Sequence, residues 1–175
     1  MYMQLCAYHG TSKTNISSIK KNGLNQSKGK KQWLGDGWYF FETAYMSNGL
    51  KEAKNWVIKV KKEPEWAIFK VDIKSDHFID LIDSAEHKGL FAKVREQAYK
   101  LHAASRRANK RFREQVIYLQ LRKYMTADFI RVMVNADNYG KYNYHSYTVI
   151  HPQVQICVIE KNCMGKPKLY DYKGK

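Results

Sequence analysis

The chain has 175 residues, 44% of them hydrophobic and 14% aromatic, a composition that excludes a disordered chain and predicts one domain over residues 1–175. Lys and Arg number 31 against 16 Asp and Glu, and this formal charge of +15 favours a polyanionic partner over a merely soluble basic protein. No apolar run suits a secretion signal or a membrane span, so we expect a cytoplasmic protein without membrane contact.

The first part of the chain alternates between strand and helix patterns. We predict strands over residues 4–8 and 66–73, and helices over residues 14–21 and 51–62. Between the two helices, a glycine-containing turn leads into an aromatic strand over residues 33–41. The expected order is therefore strand, helix, strand, helix, strand.

The second part begins with a long basic stretch of helical periodicity over residues 84–124, with a break expected near Ala108 and Asn109. Two β-branched strands follow over residues 129–134 and 154–159, separated by a loop rich in tyrosine. The apolar positions of the helical stretch are expected on one side, and they are Leu90, Val94, Ala98, Leu101, Phe112, Val116 and Leu119.

Several common site motifs are absent from the sequence. It has no P-loop, no H-E-x-x-H, no G-x-S-x-G and no dinucleotide glycine fingerprint. The cysteines, Cys6, Cys157 and Cys163, lack C-x-x-C spacing, and the histidines lack metal-ligand spacing. We therefore expect reduced thiols and no metal.

Two motifs remain, Y-H-G-T at residues 8–11 and G-D-G-W-Y-F at residues 35–40. A helix with A-K-N-W at residues 53–56 follows, and a late strand reads V-Q-I-C-V-I-E at residues 154–160. In this order they resemble the signature of the diphtheria-toxin and poly(ADP-ribose)-polymerase branch of ADP-ribosyltransferases, which hold the nicotinamide half of NAD with a histidine and a tyrosine.

The resemblance implies an α+β fold with split antiparallel β-sheets, flanking helices and a basic helical insertion. It also implies NAD as co-substrate, with His9, Tyr39 and Gln155 as the catalytic residues. The residues expected to contact NAD are His9, Gly10, Thr11, Gly37, Tyr39, Phe40 and Trp56.

Physical chemistry suggests a role for each of these groups. The Gly10 backbone can pair with the nicotinamide amide, and the Tyr39 ring can stack on the nicotinamide ring. A neutral His9 is expected to donate a hydrogen bond to a ribose hydroxyl, and Trp56 is the candidate for the opposite wall.

The third catalytic position stays open between Gln155, Gln153 and Glu160. Gln153 shares a strand face with Gln155, whereas Glu160 points the other way under two-residue alternation. Gln155 occupies the position where the family often has glutamate, and its amide cannot act as a general base. The resemblance therefore implies mono-ADP-ribosylation, one transfer per acceptor.

For the acceptor we expect nucleic acid, RNA first, because cations crowd one helical region and tyrosines precede the late strand. The chain looks similar to bacterial toxins of phage-defence toxin–antitoxin systems, so an acidic antitoxin is an alternative or additional partner. A protein side chain as acceptor, and a non-catalytic RNA-binding module, also stay open. The residues predicted to contact nucleic acid are Arg106, Arg107, Lys110, Arg111, Tyr142 and Tyr144.

Overall fold

The fold is taken from a computed structural model that describes residues 2–105, 112–135 and 152–174. The strands are β1 (Met3–Ser12), β2 (Trp38–Glu42), β3 (Trp66–Ser75), β4 (Phe78–Asp80), β5 (Phe129–Asn135), β6 (Pro152–Val158) and β7 (Lys168–Tyr172). The helices are α1 (Ile16–Asn22), α2 (Gly49–Asn55), α3 (Ala85–Ala103) and α4 (Gln115–Tyr124). These elements confirm the predicted α+β class.

The strands form one seven-stranded sheet in the order β4-β5-β6-β2-β1-β3-β7. β4 and β5 are parallel and every other neighbouring pair is antiparallel, so the sheet is mixed. The expectation of split antiparallel β-sheets was therefore wrong in two respects, because the strands form one sheet and one of its pairs is parallel. The short strand β4 runs parallel to β5. The pairing of β1 with β2 joins the half formed by β4, β5, β6 and β2 to the half formed by β1, β3 and β7.

That joint between β1 and β2 is short. The two strands pair only at Ala7 with Glu42 and at Tyr8 with Phe41 within the described residues. From His9 onward β1 stays paired with β3, while β2 stays paired with β6 along its length. The two strands diverge beyond Tyr8 and open a cleft inside the sheet.

Each face of the sheet is covered by helices. Ile19 of α1 packs with Phe40 and Phe69 on one face. On the opposite face, α2 covers Phe41, whereas α3 and α4 cover the region around Cys157. Burial of large apolar side chains at each of these contacts stabilises the fold by about 1.5–3 kcal/mol per side chain.

The second predicted helix, expected over residues 51–62, is α2, and it begins and ends at other residues than the pattern predicts. The Asn48 side chain caps α2 by accepting from the Lys51 backbone N–H at 3.0 Å. The helix then widens into a π-helical turn over Trp56–Val60. Single π turns of this kind are frequent at functional sites, and this one begins at a predicted site residue.

The basic helical stretch forms α3 and α4, and the expected break between them lies outside the described residues. Val94 and Ala98 are buried as predicted, but Leu101 is exposed. On α4 the prediction of the apolar face was wrong: Val116 and Leu119 are exposed. The α4 residues that pack into the core are Ile117, Tyr118 and Leu121.

Candidate functional site

A cavity of about 690 Å³ lies where β1 and β2 diverge. Residues from β1, β2, β6 and the π turn after α2 line it together with the loop that precedes β2. The lining includes the following predicted residues: His9, Gly10, Thr11, Tyr39, Phe40, Trp56 and Gln155. Gly37 does not line the cavity.

His9 crosses the opening between the two strands. Its Nδ1 lies 2.9 Å from the Tyr39 backbone oxygen, and its ring packs edge-on against Phe40. Burial lowers the pKa of His9, and the nearby Lys61 cation lowers it further, against the opposing effect of the bond to Tyr39. The imidazole is therefore neutral at pH 7.

This bond also fixes the tautomer of His9. A carbonyl oxygen only accepts, so Nδ1 must carry the proton, and Nε2 of the neutral ring is left with a lone pair. Nε2 can then accept a hydrogen bond but not donate one. In this arrangement a ribose hydroxyl would donate to His9, the reverse of the direction expected from the sequence.

The Tyr39 side chain is held at its hydroxyl by the loop before β2. The hydroxyl donates to the Gly35 carbonyl at 2.7 Å and accepts from the Leu34 N–H at 3.1 Å. Burial raises the pKa of Tyr39, so the phenol stays protonated at physiological pH. The hydroxyl is used to orient the ring, which leaves the ring face as its contribution to the cavity.

Two of the three motif glycines, Gly10 and Gly37, are required by packing inside the protein. A β-carbon on Gly10 would lie 2.3 Å from the Ala53 carbonyl oxygen, so Gly10 lets α2 pack directly on β1. A β-carbon on Gly37 would lie 2.4 Å from both the Cys157 sulfur and the Val158 oxygen. The backbone N–H and C=O of Gly37 are already paired with Ser27, so neither group is free for a ligand in the cavity that Ser27 lines.

Gln155 belongs to a chain of side-chain hydrogen bonds. The Trp33 indole N–H donates to Gln155 Oε1 at 3.2 Å, and Gln155 Nε2 donates to Gln153 Oε1 at 2.6 Å. Gln153 Nε2 then donates to Glu52 Oε2 at 2.7 Å. An indole N–H can only donate and a carboxylate can only accept, so the two ends of the chain fix the orientation of both amides.

The same geometry separates the three candidates for the third catalytic position. Gln155 lines the cavity. The hydrogen bonds that link it to Trp33 and, through Gln153, to Glu52 orient its carbonyl oxygen toward Trp33. Gln153 is buried behind it and does not line the cavity. Glu160 is exposed beyond the end of β6, which leaves Gln155 as the candidate with access to a ligand.

An aromatic wall lies on the side of the cavity formed by the π turn. Trp56 packs against Phe41 with ring centroids 6.4 Å apart and an angle of 51° between the rings. Lys61 lies 6.0 Å from the Trp56 ring and also lines the cavity, as does Lys31. The cavity thus combines flat apolar surface with cations, which suits a ligand that has a ring and a phosphate.

Several of these groups were not predicted from the sequence. Trp33, Lys31 and Lys61 line the cavity, and Glu52 holds the amide chain. The one sequence signal for Trp33 was its position just before the glycine turn. No spacing pattern connects Glu52 to Gln153, because the contact joins positions 101 residues apart.

The residues predicted to contact nucleic acid lie outside the described residues. They are Arg106, Arg107, Lys110, Arg111, Tyr142 and Tyr144. Of the neighbouring cations that are described, Lys100 forms an exposed ion pair with Glu96, and Arg95 lies over the Phe91 ring at 5.7 Å.

No protein-family model matches the chain, and no curated protein matches its sequence. The described residues contain no group of three His, Cys, Asp or Glu side chains suited to a metal ion. Among the described helices, none combines the length and hydropathy that a membrane crossing requires.

Proposed function

We propose that this chain is a mono-ADP-ribosyltransferase that cleaves NAD at the bond between nicotinamide and ribose and transfers ADP-ribose to a nucleic-acid acceptor, RNA first. One observation carries the proposal: His9, Tyr39 and Gln155, which come from three different strands, line the same cavity. Its volume lies within the range of about 300–1,000 Å³ that is typical of small-molecule sites.

The lining matches the parts of NAD. The Tyr39 ring face and Trp56 provide flat apolar surface for the nicotinamide ring. Lys31 and Lys61 provide positive charge for the pyrophosphate, and Asn15 and Ser18 add polar groups to the same lining. These side chains would hold and orient the dinucleotide, which supplies the ribosyl bond that is broken.

Two neutral acceptors would act on the ribose. His9 Nε2 and Gln155 Oε1 can each accept a hydrogen bond from a ribose hydroxyl. Such bonds place electron density near the sugar, where positive charge grows as nicotinamide departs with the bonding electrons. The acceptor oxygen then forms the new bond to the ribose carbon and loses its proton to solvent.

Gln155 limits the reaction to a single transfer. An amide cannot remove a proton from a second hydroxyl, so Gln155 offers no base at the position where the resemblance places the family's glutamate, which activates the next hydroxyl for chain extension. Because nicotinamide is already a good cationic leaving group, orientation of the dinucleotide would supply much of the rate enhancement. By resemblance, we place such an enzyme in the cytoplasm of a bacterium as a toxin of anti-phage defence, paired with an antitoxin.

The proposal is tested by incubating the purified chain with NAD labelled in its adenylate phosphate, together with total RNA or cell protein. Nicotinamide release is measured by chromatography and the labelled product is identified after nuclease or protease digestion. His9→Ala and Tyr39→Ala are expected to abolish nicotinamide release. His77→Ala, which removes an exposed histidine on the loop between β3 and β4, is the matched control and keeps the wild-type rate.

Each outcome points to one function. Label lost to RNase but kept after protease supports RNA as acceptor. Label that survives RNase and is lost to protease would move the acceptor to a protein side chain. Absence of nicotinamide release with every acceptor would contradict the enzyme and favour a non-catalytic RNA-binding module.

A further inference from the structure

A second, larger groove lies beside the cavity, between the end of α3 and the start of α4. Its volume is about 1590 Å³, well above the range of about 300–1,000 Å³ for small-molecule pockets. Among the described residues along the helix ends, Leu101 and Val116 are exposed. These dimensions suit a segment of a polymer more than a metabolite.

Aromatic rings form part of the groove lining. Tyr99 and Phe112 pack with centroids 4.6 Å apart, and His102 meets Phe112 edge-on at 5.2 Å. Tyr99 keeps 46% of its surface exposed, so ring area remains open toward the groove. Unpaired bases stack on surfaces of this kind, because every base has a flat π face.

Cations line the same groove as these rings. Lys30, Lys31 and Arg113 line the groove, and Glu114 is the one carboxylate among the described lining residues. Rings beside cations match a strand that alternates flat bases with phosphates. A polyacidic segment without aromatic residues would satisfy the cations but would leave the aromatic surface without a flat partner.

The groove and the cavity share a wall. Lys31 and Trp33 line both spaces, and the Trp33 indole bonds to Gln155. A strand held in the groove therefore lies one side chain away from the proposed site of ribosyl transfer. Resting on the proposed function, we propose that this groove binds the acceptor as single-stranded nucleic acid and presents one nucleotide to the cavity across Trp33.

The binding test uses a short fluorescein-labelled single-stranded RNA, followed by anisotropy. Tyr99→Ala is expected to weaken binding by about five- to 150-fold, the loss of one stacked base. Tyr170→Ala is the matched control, because Tyr170 has the same exposed fraction of 46% but lies on β7, far along the sheet. Its affinity for RNA should remain that of the wild type.

A charge reversal keeps the test decisive if Tyr99→Ala loses stability. Lys30→Glu removes an exposed cation, and it is expected to weaken binding and to reduce the slope of log affinity against log salt by about 0.7 or more. Lys74→Glu, an exposed cation on β3, is the control for net charge. Equal losses in both charge variants would overturn the groove assignment.

Two further probes distinguish the occupant. Single-stranded DNA of the same sequence separates RNA preference from binding of either nucleic acid, and Tyr99-dependent binding of either one supports the proposal. A polyglutamate peptide tests an acidic protein. Tyr99-independent binding of polyglutamate at the affinity of RNA, or preference for double-stranded RNA, would overturn it.

The proposed RNA binding by the groove and the proposed reaction in the cavity can be refuted independently. Nicotinamide release with water as acceptor reports the cavity alone, and RNA labelled per nicotinamide released reports the groove. Tyr99→Ala and Lys30→Glu should lower this ratio. NAD cleavage with RNA labelling that does not depend on Tyr99 or Lys30 would refute the groove and leave the proposed function standing, whereas groove-dependent RNA binding without NAD cleavage would refute the proposed function alone.

Discussion

Exchanging the charge between Glu52 and Gln155 tests whether the hydrogen-bond chain sets the orientation of the site amide. The chain runs from the Trp33 N–H through Gln155 and Gln153 to the Glu52 carboxylate. Gln155→Glu places an acceptor opposite the Gln153 carbonyl. If the Gln153 amide flips, its N–H groups can donate to the new carboxylate at position 155, but its carbonyl then faces the Glu52 carboxylate. Two acceptors still face each other, now at position 52 instead of position 155.

Adding Glu52→Gln removes the mismatch. The new amide at position 52 can donate to the turned Gln153 carbonyl, and Gln153 can donate to the new carboxylate at position 155. The chain is then complete with its charge at the other end. One charge-assisted hydrogen bond is lost in the single variant and regained in the double variant, which corresponds to about 1.5–3 kcal/mol.

The assay is a double-mutant cycle on the free energy of unfolding, measured by urea denaturation at pH 7. Desolvation of the new carboxylate occurs in both Gln155→Glu and the double variant, so it cancels from the coupling energy. We expect a favourable coupling of about 1.5–3 kcal/mol. The double variant should also release nicotinamide faster than the Gln155→Glu variant, because its site carboxylate is correctly paired.

Glu86→Gln is the control partner, since Glu86 lies on the first turn of α3 and its replacement changes net charge equally. Its coupling to Gln155→Glu should be within about 0.5 kcal/mol of zero. A similarly small coupling for Glu52→Gln would refute the idea that Glu52 orients the amides.

Three further predictions concern pH and stability. Because burial lowers the pKa of His9, the unfolded state binds its proton first, so wild-type stability should fall below about pH 6.5 more steeply than that of His9→Gln; parallel urea profiles would contradict this. Gly10→Ala should destabilise by at least about 1–3 kcal/mol, whereas Gly89→Ala, in open space on α3, should stabilise slightly in the same thermal melts. Arg131→Met leaves the carboxylates of Glu42 and Asp80 buried without their cation, and urea unfolding should show a loss of about 3–5 kcal/mol; a loss below about 1 kcal/mol would refute the pairing.

The strands that carry the site follow patterns visible in the sequence. Aromatic residues around Tyr39 and β-branched residues around Gln155 fit buried strands, and the expected elements formed there. β4 and β7 were missed because β4 has three residues and β7 is an edge strand with two exposed positions. Their pairing depends on neighbours that are distant in sequence.

Other details of the site could not be read from the sequence. The direction of the His9 hydrogen bond depends on a backbone oxygen of another strand, at Tyr39. The link from Glu52 to Gln153 depends on how α2 settles on the sheet, which Gly10 permits through a contact with Ala53. The prediction of which α4 residues face the core was wrong because a new helix begins at Gln115, so its periodicity does not continue that of α3.

The parting of β1 from β2 has a consequence for how the protein responds to its surroundings. Beyond Tyr8 and Phe41, the described parts of β1 and β2 are not paired with each other, and the space between them can hold a ligand. A dinucleotide seated there would tie the two halves of the sheet together, adding about 2.7 kcal/mol to stability at one hundred times its dissociation constant. If that dinucleotide is NAD, as proposed, the lifetime of the folded protein would then rise and fall with the cell's supply of NAD.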